Sequence, residues 1–132
     1  MATFKRFEDI DAWQQARELT REIYRVTADG IFSRDLALCN QIRRASISIM
    51  SNIAEGYERS GTNEFIHFLS IAKGSTGEIK SQLYIALDQN YIDEQKHEQL
   101  SGRLSHIAGM ISNSMNYLRR SSIRGTKYKA ET

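Results

Sequence analysis

The 132-residue sequence contains no proline, and its turn-forming residues gather at three places, leaving four long uninterrupted segments. Helix interiors disfavour proline because its ring removes an amide donor and clashes with the preceding turn. The breaks are Asp29-Gly30-Ile31-Phe32-Ser33, Ser60-Gly61-Thr62 and Asn90-Tyr91-Ile92-Asp93. Gly61 and Asn90 suit left-handed helix ends, and Thr62 and Asp93 suit the N-cap of the helix that follows. This punctuation predicts helices over about 9–28, 34–59, 63–89 and 94–121 within a bundle of about residues 1–121, then a basic, flexible tail over about 122–132. Long helices joined by short loops run antiparallel to their neighbours, so the expected fold is all-α, an up-down-up-down antiparallel four-helix bundle.

Apolar residues recur three and four apart in each segment, which marks a helix with a buried stripe. In the first segment the stripe is Trp13, Ala16, Leu19, Thr20, Ile23, Tyr24 and Thr27; in the last it is Leu100, Leu104, Ile107, Ile111, Met115 and Leu118. The two middle segments carry more apolar surface than one stripe. Ile42, Ala45, Ile49, Ile53 and Gly56 line the second helix, and Ile47, Met50 and Ala54 widen the arc beyond the ~100° one buried face requires. In the third, Phe65, Phe68, Leu69, Ala72, Ile79, Leu83 and Ala86 face inward, while Ile71 and Ile85 lie on the back with Glu78 between them at heptad spacing. Leaving aliphatic side chains in water forgoes roughly 1.5–3 kcal/mol each. A homo-oligomeric interface over that back face is therefore expected, against the plainer reading of scattered exposed aliphatics.

Glycines inside the predicted helices point the same way. Gly56, Gly74, Gly77, Gly102 and Gly109 each cost about 1 kcal/mol relative to alanine, which close approach of another backbone would offset. Ser48, Ser51 and Ser75 are similarly small. Arg44, Ser48, Ser51 and Glu55 share a face opposite the main stripe of the second helix, with Asn52 at its flank. Small residues framed by a cation and an anion suit a polar contact between subunits. The alternative is a solvated face carrying a Glu55–Arg59 ion pair one turn apart.

The segments FEDIDAWQQARELTREIYRVT, QIRRASISIMSNIAEGYERSG and EFIHFLSIAKGSTGEIKSQL, in that order, resemble the family of 23S ribosomal RNA intervening-sequence proteins. The pattern RRA…SIxxNIAEGxxR falls on Arg43, Arg44, Ala45, Ser48, Ile49, Asn52, Ile53, Ala54, Glu55, Gly56 and Arg59. The third helix adds Glu64, Phe65, Phe68, Leu69, Ala72, Gly74, Ser75 and Glu78, and the likeness runs from about Phe7 to Tyr117. A more distant likeness is to the accessory protein of diversity-generating retroelements. The resemblance implies a bacterial four-helix bundle that assembles as a ring, a pentamer, with nucleic-acid binding through positive surface and no established catalysis. It also makes Arg43, Arg44, Ser48, Ser51, Asn52, Glu55, Gly56, Ile71, Gly74, Ser75, Glu78 and Ile85 the expected motif and subunit interface.

Eighteen lysines and arginines against 16 acids leave a net charge of only +2, which does not by itself call for a polyanionic partner. Distribution says more. Arg17, Arg21 and Arg25 form a row spaced by four residues beside the first stripe and can track phosphates. Glu18 and Glu22, three residues before Arg21 and Arg25, can equally pair with them. The denser cluster is Arg119, Arg120, Arg124, Lys127 and Lys129, in a stretch whose only acid is Glu131 and where Tyr128 can stack on a base. A ring would repeat that tail and multiply its phosphate contacts.

Catalytic and metal-binding patterns are weak. His67, His97 and His106 lack the one-turn spacing of a histidine ligand pair, so neither a metal nor a cofactor is expected. Lys73-Gly74-Ser75-Thr76-Gly77 lacks the residue order of a phosphate loop and continues a helix. Glu55 and Glu78 can face each other between the middle helices, with Arg44 close in register, an arrangement better suited to a structural ion network than to acid–base work. The lone Cys39 excludes an intramolecular disulfide and reads as a small buried hydrophobe in a reducing compartment. No apolar run approaches the roughly 20 residues of a membrane span, so a cytoplasmic protein with no membrane partner is expected. These readings together describe a non-enzymatic, ring-forming bundle that binds RNA or DNA through basic surface, the C-terminal tail foremost. The alternative is a protein-interaction scaffold that docks a nucleic-acid enzyme such as a reverse transcriptase, its own charge incidental.

Overall fold

A computed structural model describes residues 4–123, which form four α-helices, α1 (Asp11–Ala28), α2 (Leu36–Glu58), α3 (Thr62–Asp88) and α4 (Glu94–Ile123), with short 3-10 turns at Phe7–Asp9 and Phe32–Arg34. Each helix packs on the next in sequence and α1 closes against α4, with α2 and α3 the most extensive pair. This is the antiparallel four-helix bundle that the segment lengths and short loops predict.

Helix ends follow the local chemistry, with two differences from the predicted boundaries. The first helix begins at Asp11 because the Phe7–Asp9 turn leads into an extended Ile10. The second begins at Leu36 because Asp35, after the Phe32–Arg34 turn, caps it, its carboxylate accepting from the Leu38 amide at 3.1 Å. Asp93 caps α4, accepting from the Lys96 amide at 2.7 Å. Asn90 is left-handed (φ 61°), and the Tyr91 amide reaches back to the Ala86 carbonyl at 2.8 Å while the Asn90 amide donates to Leu87, the double bond that closes a helix at a left-handed residue. Gly61 differs from expectation. It is extended (φ −114°) at the N-cap of α3, and Thr62 is the first residue of that helix, buried and not its cap. The α2–α3 corner is made by extended residues, so it needs no left-handed position.

The core is aliphatic: Leu19 and Ile23 of α1, Ile42, Ile49 and Ile53 of α2, Leu69, Ile79 and Leu83 of α3, and Leu100, Leu104 and Ile107 of α4 are almost entirely removed from water. Tyr24, placed in the buried stripe by its spacing, is 40% exposed because it stands at the edge of the α1–α2 seam. Cys39 is buried, its thiol directed at the Phe32 carbonyl 3.2 Å away, and burial pushes the thiol up from its ordinary pKa.

Among the described residues, Gly56 is the only glycine inside a helix that marks a close approach of another helix. A Cβ there would lie 2.8 Å from Phe68 Cβ and 3.0 Å from a ring carbon of Phe65. Gly74, Gly77, Gly102 and Gly109 have no such neighbour within 4 Å. The Ser48–Ser75 hydroxyl contact (2.9 Å) and the Arg59–Glu64 ion pair (3.5 Å) fix the antiparallel register of α2 against α3.

Candidate nucleic-acid interface and assembly face

Arg17, Arg21 and Arg25 are all exposed and stand one turn apart along α1, because residues four apart share a helix face. Together with Thr20, Tyr24 and Met50 they line a groove of about 400 Å³ at the α1–α2 seam. Arg21 binds Glu18 at 3.1 Å and Arg25 binds Glu22 at 3.2 Å, so the local ion pairs legible in the sequence do form. The Arg17 guanidinium lies over the Trp13 ring, 5.9 Å from its centre. Glu22 is also claimed by Lys96 of α4, whose ammonium donates to it at 2.9 Å. Arg17, Arg21, Arg25, Arg43 and Lys96 thus stand on this side of the bundle among Glu18 and Glu22, with Glu8 near Arg17 and Asp29 and Asp93 near Arg25 and Lys96.

Arg43 adjoins this groove through Tyr24. Its Nε donates to the Thr27 hydroxyl at 2.8 Å, and its guanidinium lies over the Tyr24 ring, 4.6 Å from the centre. Thr27 is itself buried and donates to the Ile23 carbonyl at 2.7 Å, so the arginine is anchored to the backbone of α1. The expected interface role placed Arg43 toward a neighbouring subunit; the structure turns it toward α1 of its own chain. Tyr24 and Thr20 were missed as groove residues because period alone assigns them to the buried stripe of the first helix, and Met50 because it reads as surplus apolar surface of the second. Of the cations near the C-terminus, Arg119 and Arg120 are exposed on the last turns of α4. Arg124, Lys127 and Lys129 lie outside the described residues.

Glu22, shared between α1 and α4, is a carboxylate whose pKa is lowered. The hydrogen bond from Lys96 leads in holding its pKa below the ordinary value, with Arg25 adding to it against the opposing effect of burial. A depressed folded pKa means that stability is complete above the unfolded value, near 4.5, and is lost as pH falls through the lower folded value. Glu22→Gln is therefore expected to destabilise the bundle by about 1 kcal/mol at pH 7. Thermal melts should show this deficit shrinking toward zero as the pH falls below that window.

The second surface lies on the outer side of α2 and α3. Ile47 (42% exposed), Ile71 (38%) and Ile85 (47%) stand open, while Tyr84, 59% exposed, turns toward α4 with its ring 4.7 Å from that of His97. Arg44, Ser51, Gly74 and Glu78 are exposed between them. Ser48 and Ser75 instead meet each other at the seam, and Asn52 donates to the Ser48 carbonyl and hydroxyl at 2.8 and 3.0 Å. The Ser48–Ser75 contact thus ties α2 to α3 within one chain, and Asn52 braces Ser48 from within α2. Glu55 is bound by Arg59 at 2.8 Å, and Glu78 accepts from Gln82 at 3.4 Å. No ion pair joins either to Arg44 among the described residues, so the network expected around Arg44 is absent from the described part of the chain.

Among the described residues, no three histidine, cysteine or acidic side chains gather as a metal site, and no helix is long and apolar enough to cross a membrane. Residues 8–113 match the family described as 23S rRNA-intervening sequence protein. No curated protein matches the sequence. The crystal structure of a protein of unknown function from the S23 ribosomal protein family of Bacteroides thetaiotaomicron is similar, with TM-score 0.74 and 20% identity over 80% of this chain and 95% of its own. At that identity the likeness speaks for the fold alone. The family match takes in the arginine row of α1, the whole α2–α3 pair and most of α4, and it ends before Arg119. The chain belongs to the 23S rRNA-intervening sequence protein family.

Proposed function

We propose that this chain is a non-enzymatic, ring-forming bundle that binds RNA or DNA through its basic surface. The observation that carries the reading is the exposed arginine row along the α1–α2 groove, in which Arg17 makes no ion pair among the described residues and Glu22 is shared with Lys96. Phosphate contacts by such residues supply the sequence-independent part of nucleic-acid affinity. Arg119 and Arg120 extend the positive surface to the end of α4, and Arg124, Lys127 and Lys129 continue it in sequence. Assembly is supported by the aliphatic residues left open on α2 and α3, and a ring would present the cations of every copy together. The engagement of Glu55 by Arg59 and of Glu78 by Gln82 favours a structural role for these carboxylates over acid–base work.

Fluorescence anisotropy with labelled RNA and duplex DNA, titrated from about 50 to 200 mM salt, tests the reading. Affinity should fall steeply, with a log–log slope of about −0.7 to −0.9 for each phosphate neutralised. Replacing Arg119, Arg120, Arg124, Lys127 and Lys129 with glutamine should flatten that slope by up to about 3.5–4.5 for each copy that touches the strand. Absent or salt-insensitive binding would overturn nucleic-acid binding. A protein that co-purifies through high salt, with no nucleic acid retained, would favour the scaffold that docks a nucleic-acid enzyme, for which the exposed Tyr84 and Ile85 offer an apolar surface.

A further inference from the structure

We propose that the α1–α2 groove takes a single-stranded stretch of nucleic acid, with a base laid on Tyr24 and the backbone running along Arg17, Arg21 and Arg25. The proposal rests on the nucleic-acid reading above and assigns it a site and a strand state. The arginines are four residues apart, so their Cα atoms advance about 6 Å per step along the helix. That is the order of the spacing between successive phosphates of an extended strand.

The floor distinguishes a strand from a duplex. Beside the arginines lie Tyr24, Met50 and Thr20 in a shallow, open groove. A duplex presents hydrated phosphodiester ridges and keeps its base faces inside, so it has nothing to place on an apolar floor. An unpaired base has a π-face for Tyr24. The ring is suited to this use because it is 40% exposed while the Arg43 guanidinium covers it 4.6 Å from its centre. Arg43 is tied to Thr27 at 2.8 Å, so it stays in place as a fixed cation behind the ring. A base on the remaining surface of Tyr24 would complete a guanidinium–aromatic–base stack.

Sequence reading missed this because Tyr24 carries the period of the core and Arg43 lies in a different helix. The carboxylates of the row do not close the site. Glu18 and Glu22 are each bound to the arginine that follows them, and Lys96 draws Glu22 toward α4.

The test is anisotropy with the full chain and a labelled mixed-sequence strand of about 20 nucleotides, as RNA and as DNA, each alone and annealed to its complement. The single strand is expected to bind more tightly than the duplex in at least one of the two arms. Tyr24→Leu should weaken single-strand binding about tenfold while leaving the salt slope unchanged, because stacking and phosphate contacts are separate contributions. Tyr24→Phe should retain most of the affinity and keep the variant's fold comparable. Equal or tighter duplex binding in both arms, or a Tyr24→Leu variant that binds single strands as well as the parent, would overturn the groove assignment and leave nucleic-acid binding standing. Failure of the parent chain to bind any of the four probes would overturn both.

Discussion

Gly56→Val is expected to lower the melting temperature by about 10 °C. The valine Cβ would sit 2.8 Å from Phe68 Cβ and 3.0 Å from the Phe65 ring, with the Phe65 carbonyl at 3.4 Å. Phe68 Cβ cannot swing aside, since it is fixed to the backbone of α3, so the two helices must separate along their most extensive contact. Forcing volume into a packed seam costs about 1–3 kcal/mol, and the two branching methyls place this substitution at the upper end. In a domain of this size each kcal/mol moves the midpoint by about 3–5 °C. Gly109→Ala supplies the control, because nothing stands within 4 Å of its absent side chain. Removing the helical glycine there should raise stability by about 1 kcal/mol. Circular dichroism melts of the two variants should move in opposite directions. An unshifted midpoint for Gly56→Val would show that α2 and α3 need not approach so closely.

Ile71→Asp combined with Ile85→Asp is expected to convert the assembled protein to a monomer while leaving the helical bundle folded. Both isoleucines lie on the outer side of α3, 38% and 47% exposed, so a carboxylate there meets water in the single chain. In an assembly each isoleucine would bury the two-fifths to one-half of its surface still open, roughly 0.6–1.4 kcal/mol of apolar burial. Losing both from an interface weakens association by about 1–3 kcal/mol, on the order of 10–100-fold in the dissociation constant, before the cost of burying two carboxylates is added. Light scattering at micromolar concentration reads the change, and a circular dichroism spectrum equal to the parent's shows that the bundle survives. A parent protein that is already monomeric at that concentration would end the assembly reading. Ring formation would also make the nucleic-acid affinity depend on these two residues, although neither lies in the basic groove, because avidity is lost with the additional copies.

The ion pairs of the α1 row show how far local sequence reaches. Arg21 with Glu18 and Arg25 with Glu22 are legible because helix geometry alone brings residues three apart together. The same holds for Glu55 with Arg59, one turn apart on α2. Lys96 reaches Glu22 from α4, and Arg43 reaches Tyr24 and Thr27 from α2. No period in the sequence encodes those partners, since they depend on which turn of one helix faces which turn of another. Ser48 and Ser75 make the same point. Their small size suggested a contact, but whether the contact is to another subunit or to the neighbouring helix is decided by the α2–α3 register.

By itself the sequence determined four helices, their order, the aliphatic stripes that face inward and the surplus apolar surface on the two middle helices. These follow from backbone hydrogen bonding and the 3.6-residue period, which act within a few residues of each other. Tertiary structure alone decided that Gly56 lets α2 and α3 meet while Gly74, Gly77, Gly102 and Gly109 touch nothing within 4 Å. It also decided that Tyr24 lies open beside a row of arginines with Arg43 over its ring, instead of inside the core. The physical reason is the same in both cases. A helix presents its side chains at fixed angles around its own axis, but distance and register between two axes are set by how all four stripes interlock at once.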